Sequence, residues 1–167
     1  SIAGARILGG KEISYNNLLD ADAAWGLVSD LPAGAAAIIK HLTPCGAAAG
    51  SSLADSFRKA LSGDPVSAFG GIVALNGTLD LTLADEIGKE GNFFEVLVAP
   101  AISPEAADYF AKSAKWRANA RLVETGGARP PEKTTLRSIS GGVLVQSSDE
   151  TLETPSGWKT VTKRAMT

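Results

Sequence analysis

The chain has 167 residues, 44% of them hydrophobic and 20% charged, and a formal net charge of -2. That length ordinarily makes one domain with a real core, and the composition is that of a globular protein, not a disordered one. No basic stripe is present to neutralise phosphates, so nucleic acid is not an expected partner, and the longest apolar stretch, Ala33 to Ile39, is far short of the roughly 20 residues that span a membrane.

In chain order, Leu18, Ala21, Trp25 and Val28 recur at helical spacing and predict an amphipathic helix over Asn16 to Leu31, stopped by Pro32. Ala35 to Ile39 is a continuous apolar run and reads as a buried strand. Ser51 and Ser52 offer a cap for a second helix with Leu53, Phe57, Ala60 and Leu61 on one face, ended by Gly63. Ile72 to Leu75 is the next strand, closed by the turn signal Asn76-Gly77. Leu83, Ala84 and Ile87 mark a short third helix, and Val96 to Ala99 a third strand. Ser103-Pro104-Glu105 combines a cap, a proline at the first position and an acid in the first turn, and so starts a fourth helix. Arg121 to Val123 is a further strand. This alternation implies an α/β fold, a central sheet with helices on both faces. After Gly126-Gly127 the pattern changes. Ala128 to Lys133 is turn-rich, Thr134 to Ser140 and Gly142 to Ser147 are extended, Ser148 to Gly157 is loop-like, and Trp158 to Thr162 is extended again.

Two phosphate-binding signatures, Gly-x-x-x-x-Gly-Lys-Ser/Thr and Gly-x-Gly-x-x-Gly, are absent. The segment Ile38-Ile39-Lys40-His41-Leu42-Thr43-Pro44-Cys45-Gly46 is more informative. An apolar run ends in two ionisable residues, followed by a proline and a glycine expected to force a turn. Strand ends give catalytic groups rigid support and access to a cleft. His41 is the only histidine, a side chain able to exchange a proton near neutral pH, and Lys40 beside it is a fixed positive charge. The plainer account is a strand end reaching water, with Lys40 solvated and His41 bonded to a backbone group. Cys45 lacks company as a zinc ligand and a second histidine as a nucleophile, so it is expected to be a small buried apolar residue. As the only cysteine it permits no internal disulfide and suits a reducing cytoplasm. No signal peptide is visible. Asp64-Pro65-Val66-Ser67-Ala68-Phe69-Gly70-Gly71 could present an aromatic face to a flat ring, or simply a core Phe beside a tight turn. Glu95 and Asn17 are each open to two readings, ligand contact or ordinary strand end and helix cap.

Taken together, these stretches are more specific than any one of them. Gly10-Lys11-Glu12-Ile13-Ser14-Tyr15-Asn16-Asn17-Leu18-Leu19-Asp20-Ala21-Asp22-Ala23-Ala24-Trp25 resembles a signature of the AICAR transformylase family. So do Lys40-His41-x-x-Pro44-Cys45-Gly46, the segment Asp64 to Gly71, Glu95 to Pro100, and Leu136 to Gly142, in order and across nearly the whole chain. The resemblance implies the transformylase part of a bifunctional purine biosynthesis enzyme that also carries IMP cyclohydrolase. It implies a cytidine deaminase-like three-layer α/β/α sandwich with a mixed sheet, residues 1–167 being the first of two such units and 126–167 leading towards the second.

What the family does is transfer a formyl group from 10-formyltetrahydrofolate to the 5-amino group of AICAR, giving FAICAR. By the resemblance, Lys40 and His41 are the catalytic pair and Asn17, Phe69, Gly70 and Glu95 line the AICAR side. The zinc deaminases that share such a scaffold carry His-x-Glu and Pro-Cys-x-x-Cys, which this sequence lacks, so no metal is expected. Thr43 stands where the family has Asn or Ser. The family's Arg-Tyr-Gly-x-Asn-Pro-His-Gln segment, its second half and its cyclohydrolase domain are not in this sequence. The expected partners are therefore the remainder of the transformylase chain and a second copy in a homodimer, with AICAR and 10-formyltetrahydrofolate as small-molecule substrates. The alternative is a catalytically silent half-domain serving only assembly or substrate binding. One question stays open in the sequence. Lys40-His41 follows its strand, whereas Phe69-Gly70 and Glu95 precede theirs, so a shared site needs either an antiparallel strand or a bridging loop.

Overall fold

A computed structural model describes residues 1–127, 129, 133–149, 159 and 161. Two compact units divide the chain, Ser1–Arg129 and Pro130–Thr167.

The first unit runs β1 (Arg6–Gly9), α1 (Tyr15–Ser29), β2 (Ala35–Lys40), β3 (Thr43–Ala49), α2 (Leu53–Gly63), β4 (Gly71–Leu75), α3 (Leu81–Ile87), β5 (Phe94–Ala99), α4 (Pro104–Lys112), a 3-10 turn over Arg117–Asn119, and β6 (Arg121–Glu124). Six strands form one mixed sheet in the order β1-β6-β5-β4-β2-β3. β4, β5 and β6 are parallel, as expected where helices cross between consecutive strands. β2 runs antiparallel to β4 and to β3, and β1 antiparallel to β6.

Helices cover both faces, and each face has its own core. On one side Ala21, Ala24, Trp25 and Val28 of α1 meet Ala35, Ala37, Ile39, Ile72, Ala74, Val96, Val98 and Val123. On the other, Phe57 and Ala60 of α2, Leu83 and Ile87 of α3, and Ala106 and Phe110 of α4 pack on Ala36, Ile38, Val73, Leu75, Leu97 and Leu122. Alternation along β2 explains why it is buried on both sides, its residues feeding one core and the other in turn. Burying each of these larger side chains contributes about 1.5–3 kcal/mol. Among the described residues the fold is thus α/β, with a mixed six-stranded sheet and four helices.

The helix starts follow their capping chemistry. Ser52, Asp80 and Ser103 each accept a backbone N–H of the first turn, and Pro104 opens α4. Helix α1 is capped by Ser14 in a reciprocal pair with Asn17.

Two strands escape the sequence reading. β1 is short and partly exposed. β3 carries Pro44 and Gly46 and was expected to be turn; it is the edge strand beyond β2, where proline costs no ladder bond on its solvent side. The actual turn lies earlier, at His41–Leu42. Gly46 serves contact, not turning: a Cβ there would collide with the Ala60 carbonyl of α2.

In the second unit, β7 (Thr134–Ile139) and β8 (Gly142–Ser147) form an antiparallel hairpin with Leu136 opposite Val145. The turn-rich stretch expected over Ala128 to Lys133 and the extended one over Trp158 to Thr162 lie largely outside the described residues. Among the described residues no helix is long and apolar enough to cross a membrane.

Candidate functional site

The antiparallel direction of β2 answers the question of geometry. Its last residue, Lys40, reaches the same end of the sheet as the first residues of β4 and β5. There Lys40 Nζ donates to the Phe69 carbonyl at 2.6 Å. The ammonium has two further N–H donors beyond that bond.

Gly70, which follows Phe69, has φ of +78° and donates its N–H to the Phe93 carbonyl at 2.7 Å. A Cβ at Gly70 would sit 3.3 Å from the Phe93 ring, in a backbone conformation that residues with side chains rarely adopt, so the turn calls for glycine. The Phe69 ring stacks at a tilt on Phe93, 5.1 Å between centroids, and stays largely exposed. It is therefore not the core residue of the plainer account. Upstream, Asp64 accepts both the N–H and the hydroxyl of Ser67, which holds its carboxyl below the usual carboxylate range and fixes the turn into Phe69.

His41 and Leu42 form the two-residue loop joining β2 and β3, with φ of +53° and +62°. Positive φ at both central positions defines a type I′ turn, which favours Asn-Gly. For a histidine and a leucine the conformation costs on the order of 1 kcal/mol or more each. Strain of this kind persists only where surrounding structure imposes it. The Leu42 N–H donates to Asp20 Oδ1 of α1 at 2.8 Å, and the Thr43 hydroxyl reaches the His41 carbonyl at 3.4 Å. The His41 side chain is exposed and, among the described residues, has no hydrogen-bond partner.

The other half of the site begins at α1. Asn17 Oδ1 faces the Ser14 N–H at 3.4 Å, and Asn17 Nδ2 donates to Glu95 Oε2 at 2.8 Å. A backbone N–H only donates and a carboxylate only accepts, so the two ends of the amide are sorted by chemistry. Glu95 owes its direction to a bulge. Gly71 pairs with Phe94 but Ile72 with Val96, leaving Glu95 as the extra residue. Phe94 accordingly packs in the core under α2–α4, while Glu95 reaches α1. The Arg121 guanidinium at the start of β6 lies 3.5 Å from Glu95 Oε2 and binds the Glu12 carbonyl through Nε and Nη2 at 3.1 and 3.0 Å.

The residues singled out in the sequence thus fall into two groups at one end of the sheet. Lys40, His41, Phe69 and Gly70 form one; Asn17 and Glu95 form the other, joined by Arg121. Helix α1 links them, since Asn17 and Asp20, three residues apart, share a helix face and touch one group each. Arg121 and Asp20 were not singled out. Asp20 stands inside the Gly10–Trp25 signature, and its spacing from Asn17 is a usable signal. For Arg121 only its place at a strand start pointed there.

Beside the first group lies a cavity of about 500 Å³ lined by Lys40, His41, Thr43, Pro44, Cys45, Asp64 and Ser67. Cys45 is half-buried and packs against the larger core. Its thiol is pushed up by burial, then by the Asp64 charge, and pulled the other way by Lys40. Among the described residues no group of three or more His, Cys, Asp or Glu is placed to hold a metal ion.

A family model described as the AICARFT/IMPCHase bienzyme matches residues 1–167. The chain is 42% identical over 164 residues to the bifunctional purine biosynthesis protein PurH of Rhodopirellula baltica, covering 98% of this chain and 31% of that protein. It is 46% identical over 165 residues to PurH of Microcystis aeruginosa, with the same coverage of 98% and 31%. To PurH of Myxococcus xanthus it is 46% identical over 174 residues, covering 100% of this chain and 32% of that protein. The chain therefore spans about a third of the length of these relatives.

Proposed function

The chain belongs to the AICARFT/IMPCHase bienzyme family, and on that premise we propose that it is part of a formyltransferase acting in purine biosynthesis. The reaction moves a formyl group from 10-formyltetrahydrofolate to the 5-amino group of AICAR. The observation that carries this reading is the convergence of Lys40-His41 with Phe69-Gly70 and with the Asn17–Glu95 pair at one sheet end. We further read the sheet as the first of two cytidine deaminase-like units, completed by the rest of a longer polypeptide and by a second copy in a cytoplasmic homodimer.

The chemistry asks for two things. The AICAR amine is a weak nucleophile, because its lone pair is delocalised into the ring carboxamide, so it must lose a proton as it attacks. An unprotonated His41 imidazole, exposed and not engaged by another side chain, accepts that proton. Attack on the formyl carbon forms a C–N bond and places negative charge on the formyl oxygen. Lys40 has donors to spare for that oxyanion, or for the folate nitrogen as the C–N bond to it breaks. Asn17, Glu95, Phe69 and Gly70 line the AICAR side: an amide, a carboxylate, an aromatic face and an unobstructed backbone. A half-domain retained only for assembly is the competing outcome.

The test uses a full-length family protein carrying this segment. His41→Ala is expected to lower kcat on the order of a hundredfold or more, with a smaller change in AICAR affinity, since the group acts mainly in the transition state. A folded variant turning over at the parental rate would overturn the reading. The 167-residue chain alone is expected to show no turnover, because the two reactants are not held together in attack geometry.

A further inference from the structure

The His41–Leu42 turn is held from outside the hairpin that it closes. In a two-residue loop neither central N–H has a place in the strand ladder, and each bonds water or a side chain instead. Here the Leu42 N–H has the Asp20 carboxylate as its partner at 2.8 Å. Neither loop residue is glycine, so the turn has no conformational preference of its own to rely on. The His41 imidazole has no hydrogen-bond partner among the described residues, so the fold constrains it through the backbone, which sets the direction of its Cα–Cβ bond. Asp20 lies one turn along α1 from Asn17, which is tied to Glu95. The helix therefore sets the hairpin tip relative to the other half of the site.

We infer that Asp20 is a positioning residue for His41: by accepting the Leu42 N–H it fixes the left-handed turn and hence the aim of the imidazole. It touches no reacting atom and need not be charged; it must present an acceptor oxygen. The kinetic consequence rests on the formyl-transfer reading, whereas the structural one does not, and the experiment separates them. In the 167-residue chain, Asp20→Ala is expected to speed hydrogen exchange of the Leu42 amide at least about tenfold and to shift or broaden the imidazole NMR signals. Those signals are unambiguous because the chain has one histidine. Asp20→Asn, which keeps an acceptor oxygen, is expected to leave both as in the parent. In the full-length protein Asp20→Ala is expected to lower kcat about 10- to 100-fold, the scale of a misaimed group, with AICAR affinity nearly unchanged. Asp20→Asn stays near the parent, and adding Leu42→Gly to Asp20→Ala restores most of kcat by relieving the turn. An unchanged Leu42 amide in Asp20→Ala would overturn the inference, as would Asp20→Asn failing like Asp20→Ala or Leu42→Gly giving no recovery. If the amide responds as stated but His41→Ala turns over normally, the formyl-transfer reading falls and the turn-holding role stands.

Discussion

The two ends of the six-stranded sheet are built on different principles. At the end opposite Lys40, loops are closed by regular bonds: Gly34 N–H to the Asn76 carbonyl, Leu79 to Ala101, Thr125 to Ala99, Gly126 to Pro100. Ser56, the one fully buried serine among the described residues, accepts from Gly50 and bonds the Gly34 carbonyl there. At the Lys40 end the same sheet carries a leucine and a histidine in the left-handed region, a bulge at Glu95 and an exposed phenylalanine. Ligands of parallel α/β sheets usually lie beyond the carboxyl ends of the strands. Here the irregular end is the amino end of β4, β5 and β6, and the antiparallel β2 is what delivers Lys40 to it. The lesson is that irregularity, more than strand polarity, marks where this fold departs from simple packing.

Three substitutions would break or sharpen that contrast. The largest effect is expected at the irregular end. Lys40→Ala should lower kcat of the full-length protein on the order of a hundredfold while moving the thermal midpoint of the 167-residue chain little. Collapse of the fold instead would make Lys40 a structural residue and erase the contrast. At the regular end the expectation reverses. Ser56→Ala leaves the Gly50 N–H and the Gly34 carbonyl without their partner and should cost about 1–3 kcal/mol in denaturant unfolding, with kcat unchanged. Lost turnover in a folded Ser56→Ala protein would show that the two ends are coupled.

The smallest effect reads the electrostatics of the site. The Asp64 charge helps hold the Cys45 thiol up and Lys40 opposes it, and the thiolate is the reactive form. At fixed pH near 8, Asp64→Asn should speed alkylation of Cys45 about two- to threefold, and Lys40→Ala should slow it. Equal rates in all three proteins would mean that neither charge reaches the edge strand.

Much of this was legible in the sequence, for identifiable reasons. The starts of α2 and α4 were fixed by Ser52 and by Ser103-Pro104, whose side chains act on the nearest amides and need no tertiary context. Buried strands announced themselves as apolar runs. The His41–Leu42 turn did not, because turn chemistry looks for Asn-Gly and the tertiary bond to Asp20 substitutes for it. β3 was hidden by Pro44 and Gly46, one tolerated at an edge and the other needed for the approach of α2. The direction of β2 is a property of the whole sheet, and no local pattern encodes it. Lys40, Phe69, Gly70, Asn17 and Glu95 were picked out by resemblance; their grouping, and the parts of Asp20 and Arg121 in it, required the fold.

The bulges have a consequence for reading relatives of this chain. Along a strand the side chains alternate between faces, so direction is a matter of odd and even. The extra residue at Phe94–Glu95 resets that parity, as Cys45 does between Ile38–Gly46 and Ile39–Pro44. A substitution at either place changes one side chain. A single-residue deletion changes the parity of everything on one side of it, and would turn Glu95 away from Asn17 even if every remaining residue were identical. In an alignment of such chains, a one-residue gap in these two segments is therefore a heavier sign of lost function than several mismatches elsewhere on the sheet.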